Sequence, residues 1–419
     1  MKFLRRVGFL AVPAILWIGQ LGCGDYYRPV ANPVVSPGGQ PQTAHFAWVV
    51  NFNPSGQGST TEIDVSGDTN IGVNSMGVGS IAEAFPPSSL ALFIANRDND
   101  TVSEYLPTLA GPITTISLLP GSHPVKVASS QLAMMFVLNS GANSACPSGG
   151  SVSTIPVTTL SVSSTICAGP APFAMAQASS NNYIYVINQD GTVSVLNGGL
   201  VGTIMPQAGQ TPVAITTSID GAYILIVTQG AGTSPGELQI VCPSASACAA
   251  GPATVAASVP VGVGATFVTV DPTLNRLYVA NTGDNTVSVF DASNINTSNM
   301  PPIPLLATVP VGTGPIGVTA LSDSSRFYVA NAGSNDVTVV SANSFSPLTT
   351  VPLPAGANPV FITSDPTATK VYVADPGTSQ TTIIQTSNNA VAGNIAAPAQ
   401  QSGCTSNCTL QQPMMVVTR

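Results

Sequence analysis

Charge is scarce in this chain. Asp, Glu, Lys and Arg together make up 7% of its 419 residues, against about 25% in an average soluble protein. Histidine occurs twice, at His45 and His123. With so little charge, the surface must be built from Ser, Thr, Asn, Gly and Pro. A content of 44% hydrophobic residues also separates the chain from disordered polymers, which combine low hydrophobicity with high charge. Beyond residue 22 only Lys126 and Lys370 remain as lysines, and seven basic face 18 acidic residues, a net charge of −11. Nucleic-acid binding relies on clustered Lys and Arg, so it is not expected. Catalytic signatures are missing too. The sequence has no GxSxG elbow, P-loop, HExxH or dinucleotide fingerprint. No cofactor and no metal is expected. The acidic stretch with Asp98, Asp100 and Glu104 offers oxygen ligands, but not at the spacing of a calcium loop.

The first segment reads as a targeting signal. Lys2, Arg5 and Arg6 precede a 12-residue apolar run at 7–18. That run is short of the about 20 residues a membrane-spanning helix needs. Small residues then surround Cys23 in QLGCG, which resembles a bacterial lipobox, although Gln20 stands where an aliphatic residue is preferred. Residues 1–22 are therefore read as a signal peptide and Cys23 as the lipidated residue. Residues 23–44, rich in Pro and Gly, are read as a tether. The expected location is the cell envelope, lipid-anchored in the periplasm or at the outer-membrane surface, with secretion as a soluble protein as the alternative. The six other cysteines form an even set, as expected of disulfides in an exported protein. Six cysteines allow 15 pairings. Proximity favours Cys242–Cys248 and Cys404–Cys408, which leaves Cys146–Cys167.

What the chain does have is repetition. LYVANTGDNTVSVF at 277–290, FYVANAGSNDVTVV at 327–340 and VYVADPGTSQTTII at 371–384 are copies of one another. Weaker copies begin at 47, 92, 135, 184 and 225. Each is an apolar run, a polar turn with Gly, Asn or Asp, and then strict alternation, the pattern of a β-hairpin with one buried face. The aligned position falls at Asn51, Asn96, Asn139, Asn188, Thr228, Asn281, Asn331 and Asp375, with spacings between 40 and 53 residues. A second motif, Gly-x-x-Pro followed by a short apolar strand, lies between the hairpins, as in GSHPVKVAS at 121–129 and GANPVFITSD at 356–365. Four strand-like runs per unit at this period predict an all-β chain folded as a β-propeller of four-stranded antiparallel blades over residues 45–419. Eight hairpins and eight inner strands predict eight blades, with seven as the alternative. The hairpin at 47–65 lacks an inner strand before it, and PMMVVTR at 413–419 lacks a hairpin after it, so the two are expected to complete one blade and remove the sheet edges.

The YVAN…NTVSV repeat resembles the bacterial YVTN-type propeller repeats, related to lactonase-like propellers. The resemblance spans about residues 45–419 and is strongest in the three copies after residue 270. It implies a mostly seven-bladed group that includes lactone hydrolases.

Alternating strand directions place the second-to-third-strand turns and the Gly-x-x-Pro corners on one face of the ring. The opposite face carries Arg276, Arg326 and Lys370. The corner face surrounds one mouth of the channel, the usual ligand site of such a ring. Its candidate binding residues are His123, Gln210, Asn358, Gln411 and Gln412. Only His123 among them is suited to acid–base work, and a lone histidine lacks the partner that fixes its tautomer. The expected function is a non-enzymatic binding or scaffolding propeller at the envelope, acting as a monomer. It would hold a peptide, a glycan or another envelope protein, and would touch the membrane only through its lipid. The alternative is a lactonase-like hydrolase acting at the channel mouth. The Asn that ends each YVAN run is expected to be structural, bonding nearby backbone and tolerating a left-handed conformation.

Overall fold

The computed structural model describes residues 46–84, 91–106, 112, 114–129, 133–178, 182–218, 220–243, 251–271, 273–293, 295, 303–400 and 409–418. Cys23, Cys248, Cys404 and Cys408 lie outside these residues, as do the signal and tether segments. The described strands form eight antiparallel four-stranded sheets arranged in a ring, a β-propeller with the predicted number of blades.

Blade 1 takes its innermost strand from the far end of the chain. Gln412–Thr418 pairs with Phe46–Phe52, which pairs with Gln57–Asp64 and then Thr69–Val78. Trp48 stands opposite Val417 and Val49 opposite Val416, as the closure argument required. Blades 2 to 8 are consecutive, and their innermost strands are Ser80–Ala84, Pro124–Ser129, Ala174–Gln177, Gln210–Thr217, Ala265–Asp271, Pro315–Ala320 and Phe361–Ser364. Blade 7 shows the pattern at its most regular: Pro315–Ala320, Arg326–Asn331, Asp336–Ser341 and Pro347–Pro352.

Period-two alternation gives every blade two apolar faces, and each face needs a neighbour. Eight clusters of buried side chains answer this need, one in each seam between adjacent blades. Tyr278, Val287 and Val289 of blade 6, for example, share a cluster with Val318, Phe327 and Val329 of blade 7. The seam between blades 8 and 1 joins Tyr372, Ala374 and Ile383 to Ala47, Val49 and Val416. The core is thus distributed around the ring, and no blade buries its apolar surface alone.

The aligned Asn is the polar counterpart of these seams. Asn281 is fully buried, and its amide donates to Thr286 (3.0 Å) and Ser288 (2.9 Å) on the next strand. Its Oδ1 accepts the backbone N–H of Gly262 at 3.0 Å, where the preceding blade leads into the corner. Asn96 repeats the arrangement with Thr101, Ser103 and Gly77. A Cβ built on Gly262 would lie 2.6 Å from Asn281 Cγ, so the buried Asn explains this Gly, as Asn96, Asn188 and Asn331 explain Gly77, Gly169 and Gly312, whereas Gly121, Gly209 and Gly356 have positive φ. The expectation of left-handed backbone at this Asn is corrected: Asn96 is extended, at φ −106°. The left-handed residue sits four positions on, at Asp100, Asn285, Asn335 and Ser379.

Candidate functional site

The corner face is a backbone construction. In blades 2, 3, 4, 6, 7 and 8 the residue just before the corner Pro, Ser or Ala that leads into the innermost strand has positive φ: Gly79, His123, Ala171, Gly264, Gly314 and Asn358. Glycine takes this conformation freely, and Asn and His take it more readily than most other residues. The turns of the flanking blades hold the corner in place. Asp100 accepts the N–H groups of Gly121 and His123, both at 2.7 Å, Asn285 accepts that of Gly314 at 2.8 Å, and Asn335 accepts that of Asn358 at 2.7 Å. From the other side, Asp284 accepts the N–H of Val263 at 2.6 Å.

This geometry changes the reading of the five candidate residues. They are spread over four blades around the corner face, with Gln411 and Gln412 adjacent at the start of the closing strand of blade 1. His123 and Asn358 occupy left-handed corner positions, where the backbone of each is held by the preceding turn. His123 Nδ1 lies 3.3 Å from the Arg97 carbonyl, and the ring is exposed. Gln210 is bound within its own blade, accepting the Thr228 hydroxyl at 2.7 Å and donating to the Pro235 carbonyl at 3.2 Å. Gln411 is buried, accepts the Ser59 hydroxyl at 2.7 Å and donates to the Ala399 carbonyl. Gln412 opens the closing strand opposite Phe52. Asp98 is paired with Arg97 at 2.9 Å, and both oxygens of Asp100 are taken by the corner. No group of three or more His, Cys, Asp or Glu suited to a metal ion is found among the described residues. Cys146 and Cys167 form the expected disulfide, and Cys242 is also disulfide-bonded.

On the opposite face, the three basic residues act as latches. Each stands at the start of a second strand and reaches the turn between the third and fourth strands of the following blade. Arg276 donates to the Ala342 carbonyl and lies over the Phe345 ring. Arg326 donates to the Thr386 carbonyl and to Asn389 Oδ1, each at 2.7 Å. Lys370 pairs with Asp68 across the closing seam. Asp271 and Asp365, both buried, cap the turns that precede two of these strands.

The innermost strands surround the channel. In the seam between blades 7 and 8, the Thr319 hydroxyl faces Ser364, at 3.2 Å between oxygens, and accepts the Ser364 N–H at 3.1 Å. The same places in the seam between blades 3 and 4 hold Ala128 and Gln177. Two residues before Ala128 is Lys126, a residue outside the five candidates read from sequence. Lys126 Nζ donates to the Met175 carbonyl of blade 4 at 3.3 Å. Among the described residues the ion pairs are Arg97–Asp98 and Lys370–Asp68, so Lys126 has no carboxylate partner there. Burial pushes its ammonium below the usual lysine range. The signal was present in the repeat. The motif PVKVAS carries a charge where the other inner strands read PVAIT, PIGVT and PVFIT.

The chain matches no protein-family model and no curated relative by sequence. Solved structures share its fold. The dihydro-heme d1 dehydrogenase NirN, solved in complex with DHE, is 14% identical, with a TM-score of 0.65 over 91% of this chain and 76% of that one. AztD from Citrobacter koseri is 12% identical, with a TM-score of 0.59 over 90% of this chain and 98% of that one. A candidate 6-phosphogluconolactonase from Bacteroides fragilis is 13% identical, with a TM-score of 0.55 over 91% of this chain and all of that one. At these identities the likeness is one of fold. The chain is a β-propeller, and the likeness gives that fold without a specific function.

Proposed function

We propose that this chain is a non-enzymatic binding or scaffolding propeller displayed at the bacterial cell envelope. Its corner face would hold a peptide, a glycan or another envelope protein. The observation that carries this reading is the division of labour at the corners. Hydrogen bonds from flanking turns fix the corner backbone, while the side chains there differ from blade to blade: Gly79, His123, Ala171, Gly264, Asn358. A rigid frame with variable side chains suits recognition, because little ordering entropy is lost on binding. Phe173 and Val360, directly after the corner prolines of blades 4 and 8, are 44% and 37% exposed and give this face apolar contact points.

The lipid anchor on Cys23 is part of the proposal. In cells fed a labelled fatty acid, the chain is expected to take up label and the Cys23→Ser variant to take up none. For the binding face, a photo-crosslinking residue placed at position 358 is expected to give a discrete adduct, and one at position 325, on the opposite face, none. Equal adducts from both faces, or none from position 358, would remove the corner face from consideration.

A further inference from the structure

Lys126 is a charged side chain on a wall that is otherwise neutral at its level. The residues in the same place on other innermost strands are Ala174, Ala214, Phe267, Gly317, Phe361 and Met415. An ammonium has three donors, and one of them goes to the Met175 carbonyl. A partly buried ammonium without a counter-charge is costly to keep. The position is not forced by the fold, since small and apolar residues fill it elsewhere.

Its surroundings point to what it is for. Lys126 and Ala128 lie on the side of blade 3 that faces blade 4, because Ala128 packs into the cluster of that seam with Met175 and Val186. Gln177, two residues after Met175, returns toward blade 3 from the other side. In the seam between blades 7 and 8 this pair of positions is closed by the contact of Thr319 with Ser364. In the seam between blades 3 and 4 the methyl of Ala128 replaces the hydroxyl, and no hydrogen bond is recorded for the Gln177 amide among the described residues. An ammonium and an amide therefore share one seam on the channel wall, beside a side chain too short to satisfy either.

We propose that the seam between blades 3 and 4 is a channel-side site for a small monocarboxylate, held by Lys126 Nζ with the Gln177 amide as second donor. One positive charge matches one carboxylate, whereas a phosphate dianion would be left half-neutralised. Charge-assisted hydrogen bonds of this type are among the stronger polar contacts. The site goes beyond the corner-face reading and does not depend on it. A partner could dock on the loops with the channel empty, and a carboxylate could bind in the channel with no partner on the loops.

Calorimetric titration of the full chain with benzoate, at constant ionic strength, tests this. Benzamide, the neutral isostere, and inorganic phosphate serve as comparisons. Benzoate is expected to bind saturably at one site, and benzamide and phosphate about tenfold more weakly or worse. Lys126→Met is expected to lose about tenfold in benzoate affinity, and Gln177→Leu a few-fold. Lys126→Arg, which keeps the charge, should retain binding within a few-fold. Benzoate binding no better than benzamide, or equal binding by the native chain and a folded Lys126→Met, would overturn the proposal. If Lys126→Met does not fold, the contrast between benzoate and benzamide on the native chain decides the matter alone.

Discussion

Blades 6 to 8 and blades 2 to 5 bury the same kind of seam but tie neighbouring blades together differently. In the first arc a basic residue begins each second strand, and Arg276, Arg326 and Lys370 all reach the next blade's outer turn. Tyr328 adds its hydroxyl to Asn389 at 2.6 Å. In the second arc the same place holds Ala91, Met134, Tyr183 and Tyr223, none of them basic. There Tyr185 makes the tie that Tyr328 makes in the first arc, donating to the Pro252 carbonyl in the outer turn of blade 5 at 2.7 Å, while the Cys146–Cys167 disulfide adds a crosslink of 21 positions within blade 3. The comparison teaches that ring geometry depends on burying the seam and on the Asn clasp, while the outer ties are interchangeable.

The largest test falls on the second arc. Replacing Cys146 and Cys167 by Ser should lower stability by about 3 kcal/mol, the loop-closure value for a crosslink of this span. The loss should appear as a lower denaturant midpoint. Next comes the clasp, common to both arcs. Asn281→Ala leaves the Gly262 N–H and two hydroxyls without their partner, and should cost about 2–3 kcal/mol. Asn139→Ala should cost less, about 1–2 kcal/mol, since Asn139 donates to Ser151 and Ser153 at 3.0 and 2.9 Å but its Oδ1 has no partner. Equal losses from the two would show that the bond to the Gly262 N–H adds nothing to the clasp.

A third test uses the one blade where the clasp is acidic. Asp375 is fully buried, accepts from Thr382, and has an Oδ1 without a partner. Burial pushes its carboxyl up to about 7 from its ordinary 3.8. Between those values the native protein keeps a proton that the unfolded chain has released, so stability falls as pH rises through this window. Asp375→Asn, which restores the residue of most other copies, should raise stability by about 2 kcal/mol at pH 8 and leave it nearly unchanged at pH 3. Thermal melts at the two pH values would read the difference, and an equal gain at both would contradict it. The smallest effect belongs to the latches. Arg326→Met should cost about 1 kcal/mol, because its contacts are hydrogen bonds at a half-buried site.

The two arcs also explain what could be read from sequence. After residue 270 the clasp, the Gly it demands and the basic latch impose fixed residue types, so the copies align by eye. Between residues 90 and 260 the seams accept any apolar side chain of suitable size, and the repeat fades to a pattern of alternation. Fold, blade number and closure were legible because they follow from alternation and turn chemistry. The candidate site was less so. His123 and Asn358 stand out as polar residues at a corner, but sequence cannot distinguish a side chain kept for its chemistry from one tolerated at a left-handed position. Lys126 was the better signal, and comparing inner strands with one another reveals it.

The pairing of Gln412–Thr418 with Phe46–Phe52 has a consequence for how the molecule is made. During synthesis the first hairpin emerges hundreds of residues before its inner partner. Until the last strand is released, Trp48, Val49 and Val50 present an unpaired edge, the kind of surface that recruits other strands. The earliest part of the ring to be translated is thus among the last to be finished, and a truncation near residue 410 should leave blade 1 open and the product prone to aggregate.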